Sequence, residues 1–150
     1  MALTINATPG AADANSYCTI AEADAYHETR LHVADWTGAN ETTRTAALVW
    51  ARRLLDEQIE WDGYPTDPDT QALQWPREGS LSNSVGGAIA SDEIPQELKD
   101  AQAELARLLI ASDRGAELST DGISNLEVGP IKVAFGDGGP ERKVVPDAVA

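Results

Sequence analysis

A chain of 150 residues suits a single domain, and a hydrophobic fraction of 42% is enough to build a core without disulfide or metal staples. Asp and Glu number 25 against 11 Lys and Arg, a net charge of −14, and the only adjacent basic pairs are Arg52-Arg53 and Arg142-Lys143. Binding to phosphates through counterion release needs clustered cations, so this balance argues against a chain that grips nucleic acid. It fits a protein that never meets DNA, or the wall of a passage along which DNA slides without sticking; acidity that serves solubility alone is the plain alternative.

Residues 1–18 are small and turn-prone, with Thr8-Pro9-Gly10 and Asp13-Ala14-Asn15-Ser16. They predict an extended arm that orders only against something else. Met1-Ala2-Leu3-Thr4-Ile5-Asn6 lacks the basic start and apolar stretch of a secretion signal, which sets the expectation of a protein made in the cytoplasm. Cys18 is the single cysteine and forms no internal disulfide. No basic residue precedes Arg30, so Cys18 reads as a small buried apolar residue rather than an activated thiol.

Thr19-Ile20-Ala21-Glu22 has the form of a capping box and predicts a helix over about 20–32. His27 and His32 lie five apart, on different helix faces, whereas a helical metal pair prefers four; both read as surface or half-buried residues. Residues 36–40 predict a loop. From Glu41 to about Ile59, the apolar positions Ala47, Leu48, Ala51, Leu54, Leu55 and Ile59 recur at three and four residues, which predicts the longest helix. Asp56, Glu57 and Glu60 crowd its C-terminal end, where the helix dipole disfavours anions, so Arg52, Arg53 or a partner chain should neutralise them.

Residues 62–69 form a turn-rich linker, and Gln71-Ala72-Leu73-Gln74-Trp75 is at most one helical turn before Pro76. Residues 79–92 read as a surface loop. Pro95 and the acids around it open another helix, expected to reach Ala111 or Ser112, with Leu98, Ala101, Leu105, Leu108 and Leu109 inward and Lys99, Arg107, Glu97, Asp100 and Glu104 on the wet side. Two short strands follow, near 123–128 and 131–136, and the chain ends in an apolar tail at Val144–Ala150. The fold class is therefore mainly α: a small helical bundle with a short β-ribbon. Its divisions are an N-terminal arm at 1–18, a helical domain at 19–112, a ribbon or loop extension at 113–136 and a C-terminal tail at 137–150.

Chemistry finds little purchase. Gly86-Gly87 has no phosphate-binding lysine, and Asp67-Pro68-Asp69 lacks the register of a calcium loop. Two histidines without a nucleophile elbow make no hydrolase. The expectation is no enzyme, no catalytic, metal or cofactor residues, and no cofactor. No apolar run is long enough for a membrane span, so no membrane partner is expected. Trp36, Trp50, Trp61 and Trp75 could stack single-stranded bases, but stacking usually accompanies a cationic groove. Core or subunit-interface anchors are the better reading.

Several segments together resemble a known family. They are Ala14-Asn15-Ser16-Tyr17 with Thr19-Ile20-Ala21-Glu22-Ala23-Asp24-Ala25-Tyr26, then Gln71-Ala72-Leu73-Gln74-Trp75-Pro76-Arg77, Ile94-Pro95-Gln96-Glu97-Leu98-Lys99-Asp100-Ala101 with Glu104-Leu105-Ala106, and Val128-Gly129-Pro130-Ile131-Lys132-Val133-Ala134-Phe135. In order and spacing they resemble phage head-tail adaptor proteins, a family often labelled DnaT-like single-stranded-DNA-binding proteins. The resemblance implies a virion structural protein that docks under the portal protein, meets neighbouring copies in a dodecameric ring, and contacts a downstream tail or stopper protein. DNA would pass through the channel without specific binding. The family label implies the alternative, a single-stranded-DNA-binding replication protein, which the net charge of −14 disfavours.

Overall fold

The computed structural model describes residues 2–79 and 81–112 and, as backbone, the segments Asn125–Val128 and Ile131–Ala134. It is mainly helical. Helix α1 spans Ile20–Glu28, α2 Ala34–Thr37, α3 Glu41–Gln58 and α4 Gln96–Ala111. A two-residue ribbon pairs β1, Tyr64–Pro65, with β2, Arg77–Glu78, and an antiparallel hairpin pairs β3, Asn125–Val128, with β4, Ile131–Ala134.

Local chemistry accounts for the helix starts. Thr19 accepts from the Glu22 backbone N–H at 3.1 Å while the Glu22 carboxylate accepts from the Thr19 N–H at 2.7 Å, completing the capping box. Asn40 caps α3 by accepting from the Thr43 N–H at 2.8 Å. Pro95 sits at the N-cap of α4, where its missing N–H costs nothing.

The core lies where α3 and α4 pack along each other. Leu48 meets Gln102 and Leu55 faces Leu98, so the two helices run antiparallel. Leu48, Leu55 and Leu105 are fully buried between them with Ala51, Ala103 and Ala106. The small alanines let the helix axes approach, and each buried leucine is worth ~1.5–3 kcal/mol. Helices α1 and α2 close one side of α4.

Three expectations need correction. The first helix stops at Glu28 rather than near 32, because Arg30 turns aside to pair with Glu104 on α4 and His32 takes a left-handed conformation at φ 60°. Residues 34–37 of the expected coil form α2, closed by Gly38, since burial of Trp36 rewards a compact turn. The segment at 71–75 makes no helix, within the expected limit of at most one turn before Pro76, and leads to a cis Trp75–Pro76 bond and into β2.

The third correction concerns the N-terminus. Within the described residues 2–18 the chain is irregular, as expected, but it docks on its own domain. Asn6 and Asn15 close a loop through paired bonds, Asn6 N–H to the Asn15 side chain at 2.9 Å and Asn15 N–H to the Asn6 carbonyl at 2.9 Å. Ala14, Ser16, Tyr17 and Cys18 are all buried. The hairpin matches the expected strands at 125–128 and 131–134, while the tail at 137–150 and the rest of 113–136 lie outside the described residues.

Candidate functional site

Two recesses bring aromatic and charged side chains together. The first is an apolar groove of about 370 Å³ where the C-terminal end of α3 meets the N-terminal end of α4. Its wall includes Leu55, Ile59, Trp61, Trp75, Leu81 and Leu98, and its acidic members are Glu60, Asp62 and Glu97. Trp61 and Trp75 meet edge to face, with ring centroids 5.9 Å apart. Both indole N–H groups are buried without an acceptor among the described residues.

Arg77 builds this corner. It is buried, and its guanidinium donates to the carbonyls of Asp62 at 2.9 Å, Gly63 at 2.8 Å and Gln74 at 3.2 Å. No carboxylate pairs with it among the described residues, so a ring of peptide dipoles solvates the charge. Gly63, at φ 71°, lies so close to the Glu78 carbonyl that a Cβ there would collide with backbone. The Gln71–Arg77 segment thus acts structurally, by clamping the linker onto α3.

The second recess, between α1, α2 and the start of α3, is lined by Asp24, His27, Arg30, Trp36 and Arg44. Arg44 lies over the Trp36 ring at 5.5 Å and donates to the carbonyls of Trp36 and Thr37, both at 3.0 Å. The Trp36 indole N–H donates to Asp24 at 2.8 Å. His27 is fully buried rather than at the surface or half-buried as expected, and its Nε2–H donates to the Ala103 carbonyl at 3.1 Å. Burial lowers its pKa, so it packs as the neutral ring. His32 is exposed, and the two histidines do not meet.

Beside this recess lies an ion triad. Glu104 accepts from Arg30 Nε at 2.7 Å and Nη2 at 2.6 Å, and from Arg107 on its own helix. Burial alone would raise the Glu104 carboxyl; the two guanidiniums outweigh it and hold the group at about 2. The expected placement of Glu104 on the wet side fails, because with 9% exposure it is buried. A charge at this position looked solvated because one of the two guanidiniums that make its burial tolerable, Arg30, comes from 74 residues away.

The other cations are also engaged. Lys99 pairs with Glu22 at 2.8 Å, Arg44 with Asp24 at 3.4 Å, and Arg52 with Asp56 at 3.8 Å, the last as the acid crowding on α3 suggested. Among the described residues Arg53 alone makes no ion pair or side-chain hydrogen bond. Cys18 matches its expected role: it is buried and free, and burial pushes its thiol up to about 12.

The tryptophans divide. Trp36 and Trp75 are core residues at 1% and 7% exposure, Trp61 is half-buried, and Trp50 stands out from α3 at 37%. Among the described residues no His, Cys, Asp and Glu side chains gather as a metal site, and no helix is long and apolar enough to cross a membrane.

Comparison with known proteins gives a match at the level of the family. The family model described as "Putative DnaT-like ssDNA binding protein" matches residues 1–150, the whole chain. No curated protein and no solved structure matches it.

Proposed function

The chain belongs to this DnaT-like ssDNA-binding family, and from that premise we propose that it acts as a virion structural adaptor, one copy in a ring below a portal protein, joining it to the next tail component around a DNA channel. The observation that carries the reading is the commitment of the cations. Arg30, Arg44, Arg52, Arg77, Lys99 and Arg107 each satisfy an acceptor inside the chain. Among the described residues the charge left toward solvent is overwhelmingly carboxylate, in a chain of net charge −14. Such a surface supplies few counterion-releasing contacts to a phosphate backbone and lets DNA pass.

The family's name favours a second reading, single-stranded DNA binding. The recess where Arg30, Arg44 and Trp36 meet joins cations to an aromatic ring, but the ring is buried. Base stacking there would require Trp36 to leave the core and Arg44 to release two carbonyls.

One experiment separates the readings. Light scattering after size exclusion, with and without portal rings, should show a portal-dependent complex, while oligonucleotide shifts at ~150 mM salt should stay negative. A salt-sensitive shift that Arg30→Ala or Arg44→Ala abolishes, together with no portal complex, would replace the adaptor with the DNA-binding protein.

A further inference from the structure

The groove between α3 and α4 presents an apolar wall and acids, and among the described residues none that line it is Lys, Arg or His. Its volume of about 370 Å³ falls within the range of clefts that hold small molecules or short peptide stretches. Ile59, Trp61, Leu81 and Ile89 are only partly covered here. Trp61 and Trp75 each bring an indole N–H that has no acceptor among the described residues, and buried donors of this kind ordinarily find one. The occupant that such a groove selects is an extended apolar segment with carbonyls to offer and cations beside it.

The chain contains one stretch of that chemistry. Arg142-Lys143 is immediately followed by Val144-Val145-Pro146. Elsewhere in the chain the only adjacent basic pair is Arg52-Arg53, inside α3. Reach poses no obstacle: the thirty residues from Ser112 to Arg142 span up to ~100 Å when extended, against ~24 Å for the length of α4.

We propose that the groove receives the chain's own segment Arg142–Pro146, with Val144 and Val145 against the Trp61, Leu81 and Leu98 wall and Arg142 and Lys143 facing Glu60 and Asp62. Tethering makes the encounter intramolecular, at an effective concentration of order mM, so modest contacts suffice. The inference stands apart from the adaptor reading and asks nothing of portal or DNA.

Hydrogen exchange on the full-length chain tests it, with the amides of Lys143, Val144, Val145 and Asp147 as the readout. Glu60 and Asp62 are exposed, so reversing them leaves the core intact. In the unaltered protein these amides should exchange at least ~10-fold slower than in an unstructured chain. Glu60→Lys with Asp62→Lys should remove the slowing, and so should Arg142→Glu with Lys143→Glu. The four changes together should restore it, because the charges again oppose. Unprotected amides in the unaltered protein, slowing untouched by either reversal, failure of the combined variant to restore it, or loss of slowing on dilution would each overturn the proposal.

Discussion

The side-chain carbonyl of Gln102, in the middle of α4, accepts the backbone N–H of Tyr17 at 2.9 Å and so ties the N-terminal segment to the helical core across 85 residues of sequence. The same amide donates to the Leu48 carbonyl and to the Ser16 hydroxyl, both at 2.7 Å, and also accepts from the Cys18 N–H at 3.2 Å. One fully buried side chain thereby joins α4, α3 and the segment before α1. Gln102→Leu fills the space but strands the Tyr17 and Cys18 N–H donors, while the Leu48 carbonyl keeps its partner within α3. Each orphaned group costs ~1–3 kcal/mol, so the variant should lose about 3–5 kcal/mol of stability. Urea denaturation checks this; an unchanged midpoint would show that the N-terminal segment contributes nothing to the fold.

Glu104 predicts an acid-side slope in stability. Its folded pKa of about 2 lies below the ~4.3 of an unfolded glutamate. A depressed carboxyl contributes fully above the unfolded value and loses its contribution as pH falls toward the folded one. Stability should therefore drop between about pH 5 and pH 2. Asp56 runs in the opposite sense: burial raises it despite its bonds to Tyr17 and Arg52, so its contribution is present at low pH and fades as pH rises. Glu104→Gln should cost about 3 kcal/mol at pH 7 by leaving two guanidiniums short of a counter-charge, and it should flatten the acid slope. Denaturation midpoints measured from pH 3 to pH 8 decide it.

Cys18 should resist thiol reagents in the native state. Desolvation is the main cause of its raised pKa, with the Glu22 carboxylate adding to it, and the sulfur is covered at 1% exposure. Maleimide labelling at pH 8 should be slow and should accelerate in step with denaturant, tracking the unfolded fraction. Rapid stoichiometric labelling of the folded chain would mean that the Ser16–Cys18 segment opens far more readily than its burial implies.

The legible parts of the fold were those written in local chemistry. The Thr19–Glu22 capping box set the start of α1, the three-and-four spacing from Ala47 to Leu55 marked α3, and Pro95 marked the entry to α4. The parts that stayed hidden depend on partners remote in sequence. Glu104 looked solvated until Arg30 came to it from 74 residues away, and Ser16-Tyr17-Cys18 looked like a free arm until Gln102 supplied its hydrogen bonds. Short α2 is stabilised by burial of Trp36 rather than by periodicity, and periodicity is what a sequence displays. The groove was half visible. Trp61 and Trp75 stood out as anchors, but their edge-to-face pairing depends on how Arg77 folds the linker back.

The tryptophans offer the sharpest contrast between structural and surface roles. Trp36 fills the space among α1, α2 and α4, with its indole N–H on Asp24 and Arg44 across its face. Trp36→Ala removes a large buried ring and should cost about 3–5 kcal/mol. Trp50 lies on the outer face of α3, three residues before Arg53, the described cation with neither an ion pair nor a side-chain hydrogen bond. Trp50→Ala should change stability by about 0.5 kcal/mol or less. If stacking on single-stranded bases were the protein's task, the accessible ring would be Trp50, and an oligonucleotide should quench its fluorescence at low salt. On the adaptor reading, quenching should be absent, whereas binding to portal or to a second copy should blue-shift the Trp50 emission. Quenching that survives ~150 mM salt and vanishes in Trp50→Ala would place DNA on α3 and count decisively for the family's name.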